Sequence, residues 1–280
     1  TESQAIERMK DEFISVVSHE LRTPLTSIHG ALNLLANGLV DLNSPRGDRI
    51  IKIAAESAER LTRLVNDILE LERLESGKIH LAKRWVNGAD LVAQAAEQLQ
   101  VVAHRARISL NIMPTDVEFY ADPDRILQVL TNLLSNAIKF SPPGTTVGLS
   151  VERGELFAGF DTQTQPRVQQ FAMFAVEDRG RGIPPEKLET IFERFHQVDA
   201  SDSRNKGGTG LGLAICRSII EQHQGRIWVE SQLQVGSIFS FTIPLCTEAD
   251  EEVADTAVEQ ELDDRPTLPA PGHYDQPEIA

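Results

Sequence analysis

The chain has 280 residues, 41% hydrophobic and 25% charged, the composition of a globular protein with room for one large core or two. No apolar run approaches the ~18 residues that a membrane span requires, and no signal-peptide pattern opens the sequence. The net charge of −15 is concentrated: from Thr247 onward eleven acids face one base, Arg265, so residues 247–280 read as an acidic, Pro-rich disordered tail or linker. No basic patch with interleaved aromatics occurs, which argues against direct binding of nucleic acid. Cys216 and Cys246, without companion Cys or His ligand spacing, argue against a disulfide framework or zinc site and fit a reducing, cytoplasmic setting.

The first 75 residues predict two long helices. Ile14, Val17, Leu21, Pro24, Ile28, Ala31 and Leu35 recur at alternating spacings of three and four, as do Ala54, Ser57, Leu61, Leu64, Ile68 and Leu71. That 3.5-residue repeat is the seam of a coiled coil or helical bundle. Gly38, Asn43, Pro45 and Gly47 supply turn chemistry between the two. Two helices cannot close a core alone, so pairing with a second copy into a four-helix bundle is expected. The opening residues read as the continuation of a helix, as in a piece of a longer protein.

Beyond Ser76 and Gly77 short β-rich runs begin: residues 79–85, 106–112, 117–122, 145–151, 171–178, 225–231 and 236–245. They alternate with helical stretches near 88–104, 123–139, 185–195 and 210–223. This is the pattern of an α/β sandwich, one sheet with helices packed against it. Residues 154–170 show little periodicity and predict a long hairpin loop.

Four stretches carry chemistry. In the first helix His19 lies two residues from both Val17 and Leu21, which turns it away from the seam at 100° per residue. Glu20 adjoins it, and Thr23 is four residues on, on the same face. A carboxylate that takes the Nδ1 proton leaves Nε2 of the imidazole nucleophilic near neutral pH. Pro24 removes the amide that would bond the Glu20 carbonyl and loosens the helix there. Next, Asn132, Asn136 and Lys139 line one face of a helix whose other face is apolar. An amide oxygen suits a hard cation such as Mg²⁺, and lysine suits phosphate. Third, an apolar strand delivers Asp178, and Gly180 and Gly182 turn the chain before Pro184 and Pro185. An acid held there can accept a hydrogen bond from an amino group such as that of adenine. Fourth, Gly207, Gly208, Gly210 and Gly212 open a helix, where exposed amides make an anion site. Neither a Rossmann nor a Walker A glycine pattern fits. The other histidines lack a paired acid or metal-ligand spacing.

Taken together these stretches resemble the boxes of sensor histidine kinases: SHELRTPL the H box, NLLSNAIKFS the N box, DRGRGI the G1 box, Ile191–Phe195 the F box and GGTGLGL the G2 box. The resemblance runs from about Lys10 to Leu245. It implies a phosphotransfer and dimerisation hairpin (1–77) and a Bergerat-type ATP-binding sandwich (78–246), of the kind shared with gyrase, Hsp90 and MutL. It also implies the residue roles. His19 would be phosphorylated, Glu20 would orient it and take its proton, and Thr23 would align water for dephosphorylation of the partner. Asn136 would hold Mg²⁺, with Asn132 beside it and Lys139 on the phosphates. Asp178 would read adenine, with Gly180 and Gly182 shaping that pocket. Arg204 would meet the γ-phosphate, and the backbone of Gly208, Thr209, Gly210, Leu211 and Gly212 would approach the phosphates. Gln197 departs from the arginine common after the F box. The implied activity is ATP-dependent autophosphorylation within a homodimer, with transfer to a response-regulator receiver domain and input from an upstream sensor. Domain docking would be controlled by a hinge near Glu75 to Lys78. The rival readings are a mechanical ATPase of the same superfamily and a non-catalytic nucleotide-binding scaffold, neither of which needs His19.

Overall fold

The computed structural model describes residues 2–76, 81–160, 166–196 and 209–245. The expected tail, the hinge beyond Ser76, Gln197, Arg204, Gly207 and Gly208 lie outside the described residues. Thr1–Leu245 form one compact unit.

Helix α1 (Glu2–Ala36) and helix α2 (Pro45–Glu75) make the expected hairpin. Ser44 caps α2 by accepting from the Gly47 N–H at 3.1 Å, and Pro45 occupies the first helical position, where a missing N–H costs nothing. The seam phase is right: Pro24, Ala31, Leu64 and Leu71 are buried. A small cluster of Ala31, Val40 and Ile50 closes the turn end. The helix runs on through Pro24.

The sandwich begins with β1 (Arg84–Asn87) and α3 (Gly88–Ala106), then β2 (Ser109–Met113), β3 (Glu118–Ala121) and α4 (Pro123–Phe140). A long hairpin of β4 (Thr146–Phe160) and β5 (Pro166–Asp178) follows, then α5 (Gly212–Gln222), β6 (Arg226–Gln232) and β7 (Gly236–Pro244). Five strands form one sheet in the order β2-β4-β5-β7-β6, with β2 and β4 parallel and the other pairs antiparallel. Phe174 and Phe241 stack at 4.7 Å in its core, and Phe119 meets Phe174 edge-on at 5.7 Å. In α4, Ile126, Val129, Leu130, Leu133, Leu134, Ala137 and Ile138 are buried, as an amphipathic helix laid on a sheet requires. The same apolar cluster takes in Leu64, Leu71 and Leu74 of α2, so the far half of the hairpin packs on the sandwich.

Three expectations need correction. Residues 154–170 are mostly strand: β4 pairs with β5 from Gly154 opposite Phe171 out to Phe160 opposite Pro166. Since β7 reaches only to Phe171, this extension is a two-stranded ribbon with no third strand beside it among the described residues, and such a ribbon has little to impose an alternation on its sequence. The helix expected at 185–195 is a 3-10 turn at Pro185–Lys187 followed by further turns. There Ile191 and Phe192 are buried, and Phe195, at φ 60, turns its N–H onto the Gly210 carbonyl at 2.9 Å. Finally, β1 and β3 stand apart as a two-stranded sheet; of the strand expected at 79–85, residues 79 and 80 lie outside the described residues, 81–83 are not strand, and β1 pairs with β3 from Arg84.

His223 shows what a histidine without a paired acid does in this fold. It is buried, with Nδ1 at 2.8 Å from the Ile219 carbonyl and Nε2 at 3.1 Å from the Asp122 N–H. The Nδ1–H tautomer satisfies both contacts. Burial, above all, lowers its pKa, so it serves as a neutral tie from α5 to the cap of α4.

Candidate active site

A cavity of about 520 Å³ opens between α4, α5, the end of β5 and α2. Asn132, Asn136 and Lys139 reach it because α4 buries its apolar face and leaves their stripe outward. The Asn132 amide also donates to the Gly212 carbonyl at 3.4 Å, tying α4 to the start of α5. Lys139 Nζ lies 4.8 Å from the centre of the Phe140 ring, with the Arg181 guanidinium 5.4 Å from the same ring.

Asp178 closes β5 and is only 6% exposed. Its Oδ1 accepts from the Gly180 N–H at 2.7 Å, and Ser237 donates to it as well. Burial raises its pKa against these hydrogen bonds, the balance of a carboxylate that a further donor would relieve. Gly182 takes φ +72 and lies so close to β6 that a Cβ would fall 2.1 Å from the Gln232 carbonyl oxygen. No other residue fits that turn. Ile183, Ile191, Phe239 and the Phe140 ring supply apolar wall around the acid, as a planar heterocycle with one amino group would require.

The opposite end is the start of α5. Gly210, at φ +73, is pressed against Phe195, where a Cβ would sit 2.9 Å from the Phe195 Cα. Gly210, Gly212 and Leu213 line the cavity at the helix N-terminus, which carries partial positive charge. Leu211 contributes backbone alone: its side chain is fully buried in the core, and its N–H points at Thr209 Oγ1 at 3.3 Å.

The sequence-predicted residues therefore fall into two sets. Asn132, Asn136, Lys139, Asp178, Gly182, Thr209, Gly210 and Gly212 share one cavity. His19, Glu20 and Thr23 stand on α1 outside its lining. The His19 side chain is 76% exposed, with Nδ1 3.6 Å from Glu20 Oε1, and the Thr23 hydroxyl donates to the His19 carbonyl at 3.3 Å. Sequence reasoning missed the hairpin's own share of the cavity: Arg60, Arg63 and Asp67 of α2 form one wall. Arg60 Nη2 binds Glu20 Oε2 at 3.1 Å, and Asp67 Oδ2 accepts from Thr209 Oγ1 at 2.7 Å. Glu70 holds α4 by accepting from Arg125 and, at 2.8 Å, from Gln128 Nε2. One signal was available. Glu20 and Arg60 each directly precede a seam leucine, Leu21 and Leu61, the flanking positions that pair across helices.

Among the described residues no cluster of His, Cys, Asp or Glu could hold a metal ion. What the cavity offers a hard cation is the amide oxygen of Asn136, which fits Mg²⁺ carried mainly by nucleotide phosphates.

A cavity with a glycine-bounded helix start is thus walled in part by a hairpin bearing an exposed histidine–acid pair. Two family models match: "His Kinase A (phospho-acceptor) domain" over residues 9–77, and "Histidine kinase-, DNA gyrase B-, and HSP90-like ATPase" over residues 121–247. The sensor histidine kinase WalK of Bacillus subtilis is 32% identical over 253 residues, which cover 90% of this chain and 39% of WalK. The chain thus spans well under half of that relative. Among solved structures, histidine kinase ThkA in complex with response regulator protein TrrA superposes with TM-score 0.65 at 27% identity, over 88% of this chain and 65% of that one. Full-length ShkA in complex with AMPPNP gives 0.58 at 30% identity, over 84% and 46%. The chain belongs to the sensor histidine kinase family.

Proposed function

We propose that the chain is the transmitter core of a protein histidine kinase, using ATP to phosphorylate His19 and passing the phosphoryl group to an aspartate of a response-regulator receiver domain. One observation carries this reading: the hairpin that bears the His19–Glu20 pair also supplies a wall of the nucleotide cavity. Asp178 accepts from the adenine amino group, and Gly180 and Gly182 shape that end. The amides of Gly208, Gly210 and Gly212, with Lys139 and Arg204, receive the phosphates. Asn136, with Asn132 beside it, holds Mg²⁺, which when bound neutralises charge on the phosphates.

Nε2 of neutral His19 attacks the γ-phosphorus, the bond to the β–γ bridging oxygen breaks, and ADP leaves. The resulting imidazolium is relieved by Glu20, which takes the Nδ1 proton. In the phosphatase reaction, hydrolysis of the receiver's aspartyl phosphate to free phosphate, Thr23 positions the attacking water. The family resemblance and the large apolar residues exposed on α1 and α2, Leu25, Leu32 and Leu69 among them, support a homodimer through the hairpin. The complex of ThkA with TrrA supports the receiver partner, and the AMPPNP complex of ShkA supports ATP. No helix among the described residues is long and apolar enough to cross a membrane, and a cytoplasmic setting with an upstream sensor fits this role.

Incubation with γ-labelled ATP tests the assignment. Acid-labile, base-stable label is expected on the wild type and none on His19→Ala, which should still bind ATP. Label persisting on that variant would overturn it, and ATP hydrolysis that proceeds without any labelled protein would favour the mechanical ATPase.

A further inference from the structure

The wall that α2 contributes is a single helical stripe, Arg60, Arg63 and Asp67, at spacings of three and four. The Asp67 bond to Thr209 seats this stripe against the glycine turn, at the end of the cavity where phosphates are expected. Arg60 is 18% exposed and lies between two anion positions, the Glu20 carboxylate it now binds and the cavity it lines. Glu20 divides its oxygens: Oε2 goes to Arg60 at 3.1 Å, while Oε1 stays 3.6 Å from His19 Nδ1, too long for a hydrogen bond. While a guanidinium compensates that carboxylate, its pull on the imidazole proton is weakened.

Resting on the kinase reading above, we propose that Arg60 is a positioning residue that couples nucleotide arrival to activation of His19. It holds Glu20 while the cavity lacks a terminal phosphate and exchanges onto that phosphate when ATP enters, releasing Glu20 to close on Nδ1. The exchange is downhill, because a phosphate oxygen pair carries more charge than a carboxylate and matches the planar guanidinium fork at least as well. ADP, lacking the terminal phosphate, leaves Arg60 on Glu20, so the histidine is activated only when the phosphoryl donor is present.

The test compares ATP and ADP affinity by titration calorimetry, and labelling rate at saturating ATP, in wild type, Arg60→Gln, Glu20→Gln and the double variant of the 280-residue chain. Arg60→Gln should weaken ATP about tenfold while leaving ADP within about twofold. Its effect on the labelling rate should depend on Glu20 and vanish in the Glu20→Gln background, because the hold that Arg60 exerts is on that carboxylate. Equal weakening of ATP and ADP, or independent losses that multiply in the double variant, would overturn the exchange. Should Arg60→Gln not fold, Arg60→Lys decides: it keeps the charge and loses the fork, and is expected to show a smaller ATP-selective loss, whereas wild-type affinity and rate would sink the proposal. If the wild type itself acquires no label, the kinase reading fails, while the ATP-to-ADP ratio still reports on the Arg60 contact.

Discussion

The hairpin and the sandwich are finished to different degrees. In the sandwich Asp178 is 6% exposed and fixed by Gly180 and Ser237, and large side chains such as Phe119, Phe174 and Phe241 are fully buried. On the hairpin His19 is 76% exposed, and Leu25, Leu32, Leu39, Leu42 and Leu69 are all more than half exposed. A nucleotide site can be completed within one chain because its contacts are many and short-ranged. On the proposed function a phosphoacceptor has to remain reachable by two different active sites, the kinase's own and a receiver's, and an open helix with exposed apolar residues fits that demand.

This contrast can be broken experimentally, most forcefully at the sandwich core. Leu134→Ala in α4 removes a fully buried side chain and should destabilise the fold by about 2–5 kcal/mol in urea unfolding, independent of protein concentration. Asp178→Asn should cost about 1.5–3 kcal/mol of ATP binding, because a buried charged acceptor is replaced by an amide with a donor in the wrong place. The same carboxylate sets a pH limit. Burial raises its pKa, so the acceptor form is lost as the pH falls at a point above the ordinary value of 3.8, and ATP affinity in the wild type should drop there, as titration calorimetry across pH would show. The smallest effect is expected on the hairpin. Leu69→Ala, 51% exposed, should change unfolding stability at low concentration by less than about 0.5 kcal/mol, yet weaken self-association in sedimentation experiments. A large, concentration-independent loss at Leu69 would mean that the hairpin is complete by itself.

How much was legible follows from range. The stripe of Asn132, Asn136 and Lys139 could be read because a helix repeats every 3.6 residues and α4 buries everything else. Asp178 and Gly182 could be read because a strand end and a tight turn are local events. The ribbon at 154–170 could not, since a strand pair with no third strand beside it is held by backbone hydrogen bonds, which leave no side-chain pattern. The turn at 185–195 misled for the opposite reason: its apolar residues are spaced for a helix but are used one by one to plug the core.

Amino-acid order alone determined the hairpin seam, the outward phase of His19 and the residue types that face the cavity, because each depends on neighbours within a turn or two. Tertiary structure alone decided that Asp67, 142 residues from Thr209, would hold the glycine turn, and that Arg60, paired with Glu20 across the hairpin, would also face the cavity. Both placements depend on how α2 docks on the sandwich, through Leu64, Leu71 and Leu74 entering its core, and no local periodicity encodes that. The motif SHELRTPL puts the histidine and its acid side by side on one helix; the packing of α2 against α1 brings Arg60 to that acid.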